Sequence, residues 1–212
     1  MQGRFCRLER FDGGRHLAAL YETYAQDDGR MWTYVPWGPF PDAAAMEQVR
    51  LATEQAPHHF QRFAILDAPS GRPIGESSYM RHAPDLGSIE VGAVTFGPRL
   101  KRTPAATEAM YLMMRRAFEA GYRRYEWKCD SLNAPSRAAA QRLGFSSEGV
   151  FRNERVYKGR SRDTAWFSVI DTEWPSVRRA MERWLDGANF DAAGVQRRRL
   201  SELIGDERGH DR

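Results

Sequence analysis

Lys101 and Arg102 stand directly before a Thr103-Pro104 pair, and Ala105, Ala106 and Thr107 then open a run of good helix formers, LKRTPAATEAM. Residue types in this order can hold an anion. Thr is a good N-cap and Pro suits the first helical position, where a missing N–H costs nothing, so the spacing predicts a helix starting at Pro104. Its orphan N–H groups lie near Ala105 to Thr107 and carry partial positive charge, while the small alanines let an anion approach the backbone beside the two cations. A phosphate or pyrophosphate fits such a site. The same stretch also reads as an ordinary capped helix with solvated cations, and the residues alone leave both readings open.

A second stretch, DSLNAPSRAAAQRLGF from Asp130 to Phe145, repeats the pattern of a polar cap before a short helix. Asn133 fits an N-cap, Pro135 a first turn, and Ser136 can satisfy a backbone donor there. Other chemistry is thin. Cys6 and Cys129 make neither a disulfide framework nor a metal-ligand spacing, and a reducing, cytoplasmic compartment suits them. Cys129 alternates with Tyr125 and Trp127 on one strand face, which reads as core packing rather than as a nucleophile. His58 and His59 precede a strand without visible ligand partners and read as surface residues, so no metal is expected.

Elements must position these groups, and the composition allows them. The 212 residues are 42% hydrophobic and 12% aromatic, enough for a substantial core. Lys and Arg number 32 against 28 Asp and Glu, a net charge of +4 interleaved along most of the chain, which favours anionic partners only weakly. The dense cluster Arg197 to Arg199 has no aromatic residue near it for base stacking, which argues against nucleic acid. The N-terminal MQGRFCRLERF lacks the apolar core of a signal peptide, and no run approaches the roughly 18 apolar residues that span a bilayer, so a soluble chain with no membrane partner is expected.

Periodicity and turn signals give strands at 5–11, at FQRFAILDA and PIGESSYMRH around a PSGRP turn, and at SIEVGAVTF, RRYEWKC, FSSEGVFRN and TAWFSVID, the last two joined through YKGRSRD. Helices are expected at about 15–26, 42–55, from Pro104, at 133–143, and from Trp174 to Gly187. The pattern predicts an α/β or α+β class, a mixed sheet with helices on both faces. A domain over 1–186 would be followed by a charged tail, 187–212, partly disordered or interface-forming.

Strand, phosphate-type helix start, strand, then Asn133 followed ten to twelve positions later by Leu143-Gly144-Phe145, resembles the order in GCN5-related N-acetyltransferases (GNAT). Within that superfamily the chain looks most like the RimJ/RimL-like branch, which acetylates the N-termini of ribosomal proteins and for which GRSRDTAWFSVI is also typical. The resemblance implies a central sheet of about seven, mostly antiparallel strands. It implies acetyl-CoA as co-substrate, with pyrophosphate held along Lys101, Arg102, Thr103, Ala105, Ala106 and Thr107 by the N–H groups of Thr103, Ala105 and Ala106 and by neighbouring charge. Lys101 stands where Gln or Arg is usual and Pro104 where Gly is usual, and the proline removes one donor. Pantetheine would pair near Val94 and Phe96, with the Val94 N–H polarising the thioester carbonyl, and Asn133 and Ser136 would flank the coenzyme.

On the same resemblance Glu90, eleven residues before Lys101, matches the base glutamate of histone-modifying members and would deprotonate the amine through water. A strand Glu paired with Arg is the plain alternative, and Glu76 and Glu126 come next as bases. The tyrosine that many members carry seven residues after the helix Asn is Ala140 here, so Ser136 becomes the acid, with Tyr157 behind it. Trp32, Tyr34, Trp37 and Phe40, stiffened by Pro36, Pro39 and Pro41, would wall the acceptor pocket or pack as a hydrophobic lid. The expected function is acyl transfer, acetyl first, to a primary amine of a protein N-terminus or small molecule by direct attack in a ternary complex. Transfer of a larger acyl group such as succinyl, or a coenzyme-binding regulator without turnover, stand as alternatives. The partners are an acyl-CoA and an acceptor amine or peptide, with a homodimer left open.

Overall fold

The computed structural model describes residues 1–55 and 60–210; His58 and His59 lie outside the described residues. Four helices begin the way their sequences ask, on a side chain that accepts the N–H three residues on: Asp12 from Arg15, Asp42 from Ala45, Thr103 from Ala106 and Asn133 from Ser136. The elements run β1 (Cys6–Arg10), α1 (Gly13–Tyr24), α2 (Ala43–Glu54), β2 (Gln61–Asp67), β3 (Pro73–Ala83), β4 (Ser88–Phe96), α3 (Pro104–Glu119), β5 (Arg124–Asp130), α4 (Ala134–Arg142), β6 (Ser146–Tyr157), β7 (Arg160–Ile170), α5 (Trp174–Leu185) and α6 (Leu200–His210).

The strands form one seven-stranded sheet in the order β1-β2-β3-β4-β5-β7-β6. Among the described residues, only β4 and β5 pair in parallel, because α3 carries the chain back between them. One face of the sheet buries Ile89, Val91, Tyr125, Trp127, Phe167 and Val169 with Met110, Met113 and Met114 of α3 and Val177 and Met181 of α5. Tyr79 of β3 points to that face and donates to the Met113 carbonyl at 2.5 Å. Glu76, three positions earlier and so on the opposite face, meets Arg50 of α2 at 2.7 Å. A smaller core, Leu20, Tyr24, Trp32 and Met46, forms between α1, α2 and their connecting loop. This layer covers the β1–β3 side of the second face, leaving the polar side chains of β4, β5 and β7 beyond it.

Two sequence expectations change. The segment after residue 187 is not a loose tail as far as residue 210: Leu200, Leu203 and Ile204, at helical spacing, are buried in the main core beside α5. The connector YKGRSRD is instead a tight turn at Lys158-Gly159, both at positive φ (47° and 74°), with the strands continuing on either side.

Gly97, between β4 and α3, is the tightest joint. A Cβ there would sit 2.3 Å from Thr23 Cγ2 and 2.8 Å from the Ile74 carbonyl oxygen, and backbone cannot step aside. Gly97→Ala is expected to lower the unfolding free energy by about 1–3 kcal/mol, the usual range for overpacking. Urea denaturation checks this, and an unchanged midpoint would show that the joint can open.

Candidate active site

The pairing of β4 with β5 covers Ser88–Val91 against Arg124–Trp127 and stops, although β4 runs on to Phe96 and β5 to Asp130. The cause lies on the other edge of β4. Ser78 faces Gly92 and Glu76 faces Thr95, so Ala93 and Val94 together oppose Ser77, and Ala93 takes up the bulge at φ 50°. The bent strand leaves β5, and a gap opens whose walls are the free edges of 92–96 and 128–130. Val94 and Phe96 lie on that wall, both half-buried. Gly92 keeps the vertex open, since a Cβ there would meet Met80 Sδ at 2.4 Å and Glu90 Oε1 at 3.3 Å.

Glu90 is 4% exposed at this vertex. Lys128 Nζ approaches its Oε2 at 2.9 Å, and Arg81 Nε stands 3.6 Å from the same oxygen. Burial pushes the Glu90 carboxyl above the usual carboxylate range, and the Lys128 and Arg81 charges offset part of that rise. The other two carboxylates considered as bases are committed elsewhere. Glu76 is buried between Arg50 and Arg62, and Glu126 accepts from Arg124 Nε at 2.8 Å.

At the start of α3, Thr103 Oγ1 accepts the Ala106 N–H at 3.3 Å and donates to the Leu100 carbonyl at 2.7 Å. The Ala106 donor, expected to face an anion, is therefore the cap's, while no hydrogen bond among the described residues takes up the N–H of Thr103 or Ala105. Arg102 holds φ 61° and is exposed; Thr107 Oγ1 accepts from Arg142 Nη1 at 3.0 Å. Lys101 reaches sideways to Asp27 Oδ2 at 2.6 Å. Burial alone would raise the Asp27 carboxyl, but the Lys101 hydrogen bond and the Met31 and Gly29 N–H groups hold it below its ordinary value. Free donors, small side chains and a bent β4 make a place for a diphosphate and an extended chain, so the residues present fit a coenzyme.

Asn133 caps α4, accepting the Ser136 N–H at 3.1 Å, and Ser136 Oγ accepts from Trp127 Nε1 at 3.1 Å. Ser136 is thus held by β5 on the α3 side of the sheet. Ala140 is fully buried, so no larger side chain fits its place without repacking. Cys129 is buried and its thiol is raised by desolvation first, the environment of an inert core cysteine.

The α1–α2 loop is held from three sides. Lys158 Nζ at the β6–β7 turn donates to the Trp32 and Gly38 carbonyls at 2.7 and 3.0 Å, Tyr21 OH donates to the Pro41 carbonyl at 2.7 Å, and Lys101 binds Asp27. Trp32 packs edge-on against Tyr24 and Phe40 inside the smaller core and is 5% exposed, so its ring belongs to the lid's interior. Trp37 meets Phe60, and Tyr34 lies under Arg160. Beside them Tyr157, the second candidate for the acid, belongs to a cluster whose other members sequence reasoning passed over: Asp130 Oδ2, nearly inaccessible, accepts from Tyr157 OH at 2.7 Å and from Arg160 at 2.5 Å. Burial and then Asp130 push the Tyr157 phenol up to about 12, which makes it a poor proton donor at neutral pH. Lys128 and Trp166 were also missed. The signal was present in strand alternation, since Glu90, Lys128 and Trp166 face one side, but only the β4–β5–β7 order makes them neighbours.

A seven-stranded mixed sheet opened by a β4 bulge above a capped helix defines an acyltransferase class of fold. The chain belongs to the GNAT acetyltransferase family, whose domain it matches over residues 7–146. The crystal structure of a GCN5-related N-acetyltransferase from Brucella melitensis is 41% identical, with a TM-score of 0.92 over 96% of this chain and 93% of that one. A probable acetyltransferase of the GNAT family from Chromobacterium violaceum is also 41% identical, with a TM-score of 0.78 over 82% and 87% of the two chains. RimL, a ribosomal L7/L12 alpha-N-protein acetyltransferase in complex with coenzyme A, shares the fold at 17% identity, TM-score 0.64, over 79% and 95%. A sequence search of curated proteins finds no match. The family's co-substrate is acetyl-CoA. No group of His, Cys, Asp or Glu suited to a metal ion, and no helix long and apolar enough to cross a membrane, occurs among the described residues.

Proposed function

We propose that the chain acetylates a primary amine, of a protein N-terminus or a small molecule, by direct attack within a ternary complex. The observation that carries this reading is the vertex itself, where a buried carboxylate, Glu90, borders the gap between β4 and β5. Acetyl-CoA supplies an acetyl group as a thioester, and the acceptor nitrogen displaces the thiolate. The free edge near Val94 and Phe96 suits an extended pantetheine, and the Thr103 and Ala105 donors suit the pyrophosphate, with Arg102 and Lys101 nearby and Asn133 and Ser136 across the gap. Glu90 takes the ammonium proton through water so that the free amine can attack. Ser136, which accepts from Trp127, keeps its own hydroxyl proton to give to the leaving sulfur and regains one from the acylated nitrogen, which sheds its second proton as the thiolate departs.

The α1–α2 loop and the β6–β7 turn would bound the acceptor, with Tyr34 and Trp37 exposing more surface than Trp32. Two free, buried cysteines suit the cytoplasm. A broad screen of amines and peptide N-termini, read by thiol release from acetyl-CoA and from succinyl-CoA, tests the reading. Turnover with acetyl-CoA supports it; preference for succinyl-CoA moves the acyl group, and coenzyme binding without thiol release across the panel replaces the enzyme with a regulator.

A further inference from the structure

We propose that Lys128 is the positioning residue for Glu90: it takes Oε2 at 2.9 Å, and leaves Oε1, beside Gly92, as the oxygen that receives the proton. The inference rests on the reading of Glu90 as the base. Three observations support it. Lys128 is the first residue of β5 on the Glu90 face after pairing with β4 ends at Trp127, so its side chain crosses the mouth of the gap. Its side chain is only 7% exposed and its Nζ lies 4.6 Å from the centre of the Trp166 ring, whose π face holds the ammonium while the ion pair forms. Gly92, lacking a Cβ, leaves the approach to Oε1 clear.

The charged groups around Glu90 divide unevenly. From β3, Arg81 stands farther off at 3.6 Å, 44% exposed, with its guanidinium over the same Trp166 ring, so water screens much of its charge. From β5, Glu126 opposes ionisation of Glu90 but is itself bound to Arg124. From β6, Arg155 is occupied by Glu154, whose carboxyl that pairing draws down to about 2. Lys128 is therefore the buried, close cation that opposes the rise burial imposes on the Glu90 carboxyl. A staple that merely joined β4 to β5 would serve equally well with either oxygen engaged, and its removal would move the Glu90 titration without moving the acidic limb of activity.

The experiment replaces Lys128 with Met, with Gln as a second neutral variant and Arg as the charge-conserving one, each checked by melting. The first readout needs no acceptor: the Glu90 carboxyl carbon, labelled with ¹³C and recognised by its loss in Glu90→Gln, is titrated by NMR. Its midpoint is expected to rise by about one pH unit or more in Lys128→Met and Lys128→Gln and to return toward the wild-type value in Lys128→Arg. The second is the pH profile of kcat/KM with acetyl-CoA and the amine that turns over fastest in the screen. The acidic limb should move up by the same amount, with activity recovering at high pH. An unmoved midpoint or an unmoved acidic limb in either folded neutral variant overturns the role of Lys128. Normal turnover by Glu90→Gln instead removes the base reading, and the two failures are read from different proteins.

Discussion

Glu90→Gln is expected to cut turnover by roughly 10²- to 10⁴-fold while leaving acetyl-CoA binding intact, the usual loss for a removed general base. The amide keeps the shape but neither takes a proton nor balances Lys128, so some loss of melting temperature accompanies it. The pH profile separates chemistry from architecture. Because burial raises the Glu90 carboxyl, the wild-type acidic limb should lie above the ordinary carboxylate range, with activity rising as pH climbs through it and the carboxylate forms. The variant should lack that limb and recover relative to wild type as the solution nears the amine's own pKa. A folded variant with a parallel pH profile and near-normal turnover at neutral pH would make Glu90 an architectural partner of Lys128.

The other large effect is structural. Glu76 is buried under Arg50 of α2, which donates from Nε at 3.2 Å and Nη2 at 2.7 Å, and lies 3.5 Å from Arg62 Nη1 of β2. Both arginines are themselves buried, so Glu76→Gln strands two cations away from water and loosens α2 from the sheet. Removing one partner of such a set typically costs about 3–5 kcal/mol. For a chain of this size that amounts to roughly 6–20 °C in melting temperature. Thermal and urea melts check it. A loss under about 1 kcal/mol would mean that water reaches both guanidinium groups.

These two glutamates show how far the sequence carries. SIEVGAVTF is the β4 of the structure residue for residue, and Thr103-Pro104 starts α3 where capping chemistry places it, because both signals are local. Glu76 and Glu90 look alike in sequence, each a strand carboxylate, and only the register of the sheet gives one to Arg50 and the other to Lys128. The β6–β7 connector differs because edge strand β6 is exposed and carries charge, so Glu154 to Asp163 fall outside both expected strands; Asn153 at φ 49° marks a bulge there, after which pairing resumes. Helix α6 hid in a charged context, where three apolar residues at the right spacing suffice once α5 supplies a surface to cover. Trp32, grouped by composition with its aromatic neighbours, turns inward because Tyr24 and Met46 leave a place for its ring.

Calorimetric titration of acetyl-CoA into the wild-type chain and into Ala106→Glu tests the seat of the coenzyme at the start of α3 most directly. The wild-type chain should bind saturably, and the folded variant should not, because its new carboxylate sits against the phosphates at the positive end of the helix. Unchanged affinity in folded Ala106→Glu, or no binding by the wild-type chain, would contradict that seat.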